Sequence, residues 1–200
     1  MTENPCPTLE PDDGFEELVT DRLTIRRFAA TDAPALAAYR SVPEVARYQS
    51  WGTPYSEDQA RRFVAALATS HPDTPGEWFQ FAVTETASGR LLGDVAASPE
   101  CDPRLVRIGF TLTPEAQGRG FATEAVMALL DYLFHTRGKH RVAADCDPRN
   151  VASVRLLERL GLRREAHNLR SVWSKGEWTD EYVYAVLADE WTARRPTRRG

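Results

Sequence analysis

The chain has 200 residues, of which 42% are hydrophobic, and its formal net charge is −4 at pH 7. This length and hydrophobic content are sufficient for one substantial core, so they favour a single domain with short tails. The small negative charge argues against a nucleic-acid-binding protein, which usually carries a basic face, and we expect no nucleic-acid partner.

The beginning of the chain and its cysteines predict a protein of the cytoplasm. Residues 1–17 are rich in Pro and acidic residues, and we expect them to form a flexible leader. They have neither the basic segment nor the apolar run of a secretion signal, and no apolar stretch approaches the about 20 residues of a membrane helix. Cys6, Cys101 and Cys146 lie far apart without metal-ligand spacing. We therefore expect reduced thiols, no metal, no membrane contact and a cytoplasmic location.

The first half of the chain contains strand and helix patterns in turn. Leu23-Thr24-Ile25 predicts a strand, and residues 31–40 predict a helix. Ser56 and Gln59 have the spacing of a capping box, and the apolar residues after them predict a second helix. Two further strand patterns flank a turn and predict a hairpin, at residues 78–84 and 91–97.

The second half begins with a strand at residues 106–112, followed by a Gly-rich turn and an apolar helix to about residue 136. After a short strand at residues 141–146, Asp147-Pro148 predicts the start of a helix with Pro in a favoured early position. The last elements are a hairpin of residues 169–173 and 178–187, and a basic tail at 192–200.

The order of these elements predicts an α/β fold for a single domain of residues 18–191. Seven strand patterns and four helix patterns predict a mixed, mostly antiparallel central sheet flanked by helices. The strand-helix-strand unit in the middle of the chain predicts one parallel pair of strands within it.

The segment Gln117-Gly118-Arg119-Gly120-Phe121-Ala122 joins a predicted strand to a predicted apolar helix. Glycines there let the backbone approach a bulky anion, and the first N–H groups of a helix have no intrahelical partner. Such a turn suits a pyrophosphate, with Arg119 adding positive charge. A P-loop needs Gly-Lys-Ser/Thr, and a dinucleotide fingerprint needs a small residue where Thr123 stands. Neither motif fits well, and a purely structural turn is the remaining alternative.

The same segment resembles the coenzyme A signature of the GNAT superfamily of N-acetyltransferases, Gln/Arg-x-x-Gly-x-Gly/Ala, which reads here Gln117-x-x-Gly120-x-Ala122. Three longer runs are similar to its ribosomal-protein N-acetyltransferase (RimJ/RimL-like) branch: residues 108–125, 147–161 and 176–191. The resemblance covers roughly residues 18–191. It implies the GNAT fold and the transfer of an acetyl group from acetyl-CoA, as co-substrate, to an amine.

The resemblance also implies roles for individual residues. The backbone of Phe110, Thr111 and Leu112 would pair with the pantetheine arm and polarise the thioester carbonyl. Gln117 and residues 118–122 would hold the pyrophosphate. Asn150 would contact the pantetheine arm, and Ser153 would lie near the thioester sulfur and protonate the leaving thiolate. Both residue types are also common as helix caps, which is the structural alternative.

Two departures from the family pattern concern the acid and the base. Many members have a tyrosine as general acid where this chain has Leu157, so Ser153 is the nearest hydroxyl. Members of this branch often have a glutamate, a candidate base, where this chain has Arg107. The carboxylates that remain as candidate bases are Asp94, Glu100, Asp102 and Asp180.

The absence of an evident base bears on the acceptor. A lysine amine with a pKa of about 10.4 is neutral at pH 7 in about one molecule in 2,500, a cost of ~4.6 kcal/mol. An α-amine with a pKa of about 7.7–8.0 costs ~1.4 kcal/mol or less. The acceptor amine that attacks in the ternary complex is therefore expected to be a protein N-terminal α-amine, or a small-molecule amine of the aminoglycoside type. From another class of function, an acyl-CoA-binding sensor without catalysis is the alternative.

Two further expectations concern the binding of the acceptor and the oligomeric state of the protein. Trp51 lies in a predicted loop, and because loops carry recognition it is our candidate for acceptor binding. Core packing is the alternative, since it is the usual role of tryptophan. Enzymes of this branch are often homodimers, so the resemblance implies a homodimer.

Overall fold

The computed structural model of the protein describes residues 15–194, and eight strands among them form one sheet. The strands are β1 (Leu18–Val19), β2 (Leu23–Arg26), β3 (Phe79–Glu85), β4 (Leu91–Pro99), β5 (Leu105–Leu112), β6 (Arg141–Cys146), β7 (Arg163–Ser174) and β8 (Glu177–Leu187). Their spatial order is β1-β2-β3-β4-β5-β6-β8-β7. All neighbouring pairs are antiparallel except β5 and β6, which are parallel.

Six α-helices among the described residues pack around this sheet. They are α1 (Ala33–Arg40), α2 (Pro43–Ala46), α3 (Glu57–Thr69), α4 (Phe121–Asp131), α5 (Val151–Arg159) and α6 (Ala188–Ala193). A π-helical turn over Tyr132–Thr136 prolongs α4. No helix within residues 15–194 has the length and apolar character that crossing a membrane requires.

The predicted α/β fold with a mixed, mostly antiparallel sheet is confirmed. The sheet has eight strands because Leu18 and Val19 pair with Ile25 and Thr24, which adds the short strand β1 at one edge. The additional helices, α2 and α6, have four and six residues, which is too short to produce a periodic apolar pattern.

The core lies where the central strand meets the apolar helices. All nine residues of β4 are buried, as expected for a strand covered on both faces. Helix α4 packs against β2, β4 and β5 and buries Phe121, Ala125, Val126, Leu129 and Leu130. Helix α5 packs against β6, and α1 packs against β4 and α3. The starts of α4 and α5 are therefore fixed beside the parallel pair of strands.

A buried ion pair joins α1 to β4. The Arg40 guanidinium, 4% exposed, lies 3.8 Å from the carboxylate of Asp94, and the Tyr39 hydroxyl donates a hydrogen bond to the same carboxylate. The rings of Trp51 and Phe63 each lie 4.3 Å from the guanidinium carbon of Arg40. Burial raises the pKa of Asp94, while Arg40 and Tyr39 act in the opposite direction. This cluster therefore contributes to the core.

The two ends of the chain were predicted to form a leader and a basic tail. Residues 1–14 and 195–200 lie outside the described residues. Within the predicted leader 1–17, Phe15 packs its ring 4.5 Å from Phe81 and 5.4 Å from Tyr132. At the other end, the buried Trp191 of α6 donates its indole N–H to Asp131 at 2.8 Å.

Candidate functional site

The two parallel strands separate part-way along their length. The last paired residues are Arg107 on β5 and Ala143 on β6. Strand β5 continues to Leu112, paired only with β4 on its other side. Within residues 15–194, the backbone of residues 108–112 therefore has one edge without a neighbouring strand. Unpaired N–H and C=O groups at such an edge can bind an extended ligand in the manner of an added strand.

A cavity of about 580 Å³, which we call the first cavity, lies beside this open edge. Its lining includes most of the residues that the sequence predicts to bind the cofactor: Phe110, Thr111, Leu112, Gln117, Gly118, Gly120, Ala122, Asn150 and Ser153. Residues far apart in the sequence are therefore brought together around one space.

Two of the predicted cofactor residues are absent from this lining. The Phe121 side chain is buried in the core, and the guanidinium of Arg119 lies 4.9 Å from the centre of its ring. Arg22 lies over the same ring at 4.5 Å and donates to the carbonyl of Arg119 at 3.1 Å. The predicted contact of Arg119 with pyrophosphate stays a prediction.

The turn before α4 has the conformation that its glycines allow. Gly118 and Gly120 have φ angles of +71° and +82°, in the left-handed region that favours glycine. The Gln117 side chain donates to the carbonyl of Leu112 at 3.1 Å and so ties the turn to the end of β5. Because Gly120 precedes the first residue of α4, the unpaired N–H groups of that helix are available at the first cavity.

Positive charge surrounds the first cavity. The beginnings of both α4 and α5 line it, and each helix N-terminus carries a partial positive charge. Arg155 and Arg159 of α5 also line the cavity, and neither is among the residues predicted from the sequence to bind the cofactor. Their spacing of four residues on a helix places them on one face, so this pattern was available as a signal. The arrangement suits a ligand that carries phosphates.

Asn150 and Ser153 lie at the start of α5. The Asn150 side chain caps the helix by accepting the backbone N–H of Ser153 at 3.3 Å. Asn150 is therefore a helix cap, and its predicted contact with the pantetheine arm stays a prediction. Within the described residues the Ser153 hydroxyl has no hydrogen-bond partner, and the residue lines the first cavity. Leu157 is fully buried in the core.

The helix predicted to begin at Asp147-Pro148 begins instead at Val151, so this prediction was wrong by one turn. The Asp147 carboxylate accepts the backbone N–H of Arg149 at 2.8 Å, and the Asp147 carbonyl accepts the N–H of Asn150 at 2.9 Å. Pro148 therefore lies inside a tight turn that precedes the helix.

A second cavity, of about 340 Å³, lies next to the first. Both cavities are lined by Tyr48 and Arg149, and the Tyr48 hydroxyl donates to the Arg149 carbonyl at 3.2 Å. The second cavity is lined by five carboxylates and three cationic side chains: Asp145, Asp147, Glu177, Asp180 and Glu181, and Arg47, Arg149 and Lys175. It is therefore net acidic, whereas the first cavity is net basic.

Several charges of the second cavity already have partners. The Lys175 ammonium donates to the carbonyls of Ala46 and Trp51 at 2.6 and 2.9 Å, which joins the β7–β8 turn to the end of α2 and the segment after it. The Arg149 guanidinium bonds Asp147 at 2.7 Å and Glu177 at 2.9 Å.

The four candidate bases lie in different environments. Asp94 is buried with Arg40 and lines neither cavity. Asp102 is partly exposed, and the hydrogen bonds that its carboxylate accepts from Arg104 lower its pKa to about 2. Glu100 is about half exposed. Asp180 lines the second cavity, but hydrogen bonds from the Arg170 backbone N–H and the His167 ring lower its pKa.

Trp51 lies in the predicted loop but lines neither cavity. Its indole N–H donates to the Arg40 carbonyl at 3.1 Å, and its ring packs against the core. Its carbonyl accepts Lys175. Direct contact of the Trp51 ring with an acceptor stays a prediction. Within residues 15–194 there is no group of three His, Cys, Asp or Glu residues that could hold a metal ion.

Known proteins resemble this chain over most of its length. Residues 22–163 match the model of the acetyltransferase (GNAT) domain. Uncharacterized N-acetyltransferase YnaD of Bacillus subtilis is 32% identical over 174 residues, which are 87% of this chain and 98% of the relative. The ribosomal protein uS5-alanine N-acetyltransferase of Escherichia coli is 29% identical over 192 residues, with 89% and 94% covered. The structure of a GNAT-family acetyltransferase from Bacillus anthracis has a TM-score of 0.80 at 30% identity, covering 88% of this chain and all of that one.

Proposed function

Because the chain belongs to the GNAT acetyltransferase family, we propose that it transfers an acetyl group from acetyl-CoA, held in the first cavity, to an amine that enters through the second. The main support for this assignment is that the two cavities share a wall but differ in the sign of their net charge. A basic cavity suits the phosphates of coenzyme A, and an acidic cavity suits an ammonium group.

The pantetheine arm lies along the open edge of β5 in this proposal. Phe110, Thr111 and Leu112 supply backbone groups to the arm, and a backbone N–H there polarises the thioester carbonyl. Gly118, Gly120 and the beginning of α4 hold the pyrophosphate, and Arg155 and Arg159 add positive charge. The amine then attacks the thioester directly, without a covalent enzyme intermediate.

The acceptor is a protein N-terminal α-amine or a small-molecule amine. The name of the Escherichia coli relative, a ribosomal protein uS5-alanine N-acetyltransferase, favours the first of these. The 340 Å³ of the second cavity is large enough for a few residues of a peptide or for a compact amine. The free thiols of Cys101 and Cys146 suit the reducing cytoplasm as the place of the reaction.

The transfer is tested by release of free coenzyme A from acetyl-CoA with an alanine-initiated peptide, spermidine or kanamycin as the acceptor. We expect release with at least one of them, and a loss in kcat of about 10²-fold for Ser153→Ala, because its hydroxyl protonates the departing thiolate. Acetyl-CoA affinity should not change, since that proton transfer belongs to the transition state.

The control for this variant is Ser171→Ala, which removes an exposed hydroxyl on β7 and should leave kcat unchanged. If acetyl-CoA binds but no amine releases coenzyme A, the chain is an acyl-CoA-binding sensor instead. If Ser153→Ala turns over at the wild-type rate, another group protonates the thiolate.

We also propose that the protein is a homodimer. Strand β7 forms an edge of the sheet and is exposed along almost all of its length, so its outer backbone groups have no neighbouring strand within the described residues. Such an edge is a template for pairing with a second chain. Light scattering at micromolar concentration should give about twice the 22.4 kDa mass of one chain. A mass of one chain would contradict the proposal.

A further inference from the structure

We propose that Asp145 is the general base that takes the proton from the acceptor amine, and that Arg107 is its positioning residue. The inference rests on the acetyl transfer proposed above. In this structure the arginine reaches across to β6 and binds a carboxylate there: Arg107 Nη1 lies 2.9 Å from Asp145 Oδ2. A carboxylate is therefore present beside position 107, supplied by the neighbouring strand.

The backbone places Asp145 where the two strands have just separated. The last parallel pair joins Arg107 to Ala143, and Asp145 is the second residue beyond it on β6. Its side chain lines the second cavity, in which we place the acceptor. In the proposed function the pantetheine arm follows the open edge of β5 past Phe110, and its thioester end lies near Ser153. Both residues line the first cavity, so the arm ends close to the point where β5 and β6 separate. Asp145 thus lies between the proposed routes of the two substrates.

One oxygen of this carboxylate is left without a partner. Oδ2 is bound by Arg107, whereas Oδ1 is buried and has no hydrogen bond from residues 15–194. A buried carboxylate oxygen without a donor is unusual, because it forgoes the hydrogen bonds that water would supply. An ammonium or amine N–H that entered the second cavity would supply the missing donor.

The other carboxylates of the second cavity are already bound within the protein. Asp147 and Glu177 bond the Arg149 guanidinium, and Asp180 accepts from His167 and from the backbone of Arg170. In the part of the chain that the structure describes, Glu181 accepts a hydrogen bond only from the Asn168 side chain, at 3.2 Å. Among the carboxylates of this cavity, Asp145 is the one whose buried oxygen has no donor from residues 15–194.

The charges that face Asp145 come from three elements. Arg107 reaches it from β5, Glu181 lies on β8, and Glu100 lies in the connection between β4 and β5. Burial raises the pKa of Asp145 above its ordinary value, Arg107 opposes that rise, and Glu181 and Glu100 add to it. The remaining charges that line the cavity are Arg47, Asp147, Arg149, Lys175, Glu177 and Asp180. A carboxylate with a raised pKa binds a proton more readily, which is what a general base requires.

The step balances as follows. The acceptor arrives as an ammonium ion and gives one proton to Asp145 Oδ1, which leaves a neutral amine. The nitrogen lone pair attacks the thioester carbonyl carbon, so that a C–N bond forms and the C–S bond breaks. The electron pair of the C–S bond leaves with sulfur, and the thiolate takes a proton from Ser153. The attacking nitrogen loses its second proton to solvent, from which Ser153 is also reprotonated, and Asp145 returns its proton to solvent.

The test compares Asp145→Asn with Asp58→Asn, which removes a carboxylate from an exposed position in α3, outside both cavities. We expect kcat/KM for Asp145→Asn to fall about 10²-fold with every acceptor that the wild type acetylates. Calorimetry should show unchanged acetyl-CoA affinity, and Asp58→Asn should match the wild type. Wild-type kcat/KM should rise with pH along one limb of the profile. Deprotonation of Asp145 sets this limb, so it should be the same for every acceptor.

Two changes in the pH profile distinguish a base from a merely structural residue. In Asp145→Asn the common limb should disappear, and activity should follow the pKa of each amine. In Arg107→Gln the limb should move to higher pH, because the carboxylate loses its cation. If Asp145→Asn transfers acetyl as fast as the wild type and keeps the same limb of the pH profile, Asp145 is not the base, although the proposed acetyl transfer stands. Absence of transfer by the wild type would overturn the proposed function and the base together.

Discussion

The Gly120→Glu variant should bind acetyl-CoA about 10³-fold more weakly than the wild type, or show no measurable binding, while it remains folded. Gly120 lines the first cavity at the start of α4. A glutamate there puts bulk and a negative charge where the pyrophosphate is proposed to lie. Like charges held together cost several kcal/mol, and a 10³-fold change corresponds to about 4 kcal/mol. Calorimetry with acetyl-CoA measures the effect.

The fold should tolerate this substitution at a modest cost. A Cβ at Gly120 would have only the flexible Arg22 guanidinium near it, at 3.4 Å, so the main cost is the left-handed backbone, about 1–2 kcal/mol. Gly89→Glu is the matched control, because Gly89 has a φ of +70°, has open space around it and lies in the turn between β3 and β4. Gly89→Glu should lose similar stability and keep its acetyl-CoA affinity. Unchanged affinity in Gly120→Glu would remove the glycine turn from the proposed site.

The second large effect is expected in the core, where Arg40→Met should lower the free energy of unfolding by about 3–5 kcal/mol. The substitution leaves the Asp94 carboxylate buried with Tyr39 as its remaining partner. An unpaired buried charge is far more costly than a buried pair. Urea unfolding at pH 7 measures the loss.

The double variant Arg40→Met with Asp94→Asn tests the cause of that loss. Removing the charge of Asp94 should restore much of the stability, since no unpaired carboxylate remains. The loss in the single variant should also shrink as the pH falls. Burial already raises the pKa of Asp94 in the folded protein, and without Arg40 it rises further, so the folded state binds the proton more tightly than the unfolded chain. Equal instability of the single and double variants would show that lost packing, not charge, is responsible.

Local signals in the sequence predicted the parts of the fold that depend on local contacts. The Ser56–Gln59 capping box forms as expected, with Gln59 N–H donating to Ser56 at 3.2 Å. The start of α5 was predicted too early because Pro148 favours both a helix start and a turn. Hydrogen bonds from Arg149 and Asn150 to Asp147 settle that choice in favour of the turn.

The candidate site was predictable to the extent that one continuous segment supplies it. The glycine turn at residues 117–122 could be located from its residues, and its resemblance to the coenzyme A signature favoured a pyrophosphate site over a purely structural turn. The pairing of Arg107 with Asp145 could not, because it depends on the register of β5 beside β6. The second cavity was likewise hidden, since it is assembled from the segment after α2, the end of β6 and the β7–β8 hairpin.

The wall that the two cavities share has a kinetic consequence. Tyr48 and Arg149 line both spaces and are bonded to each other, so a ligand that moves either residue in one cavity reshapes the other. The occupancies of the two cavities are then energetically linked, and the linkage is reciprocal: each ligand alters the affinity of the other by the same factor. In the proposed enzyme the KM for each substrate would then depend on the concentration of the other, to an extent that the side chains between the two cavities determine.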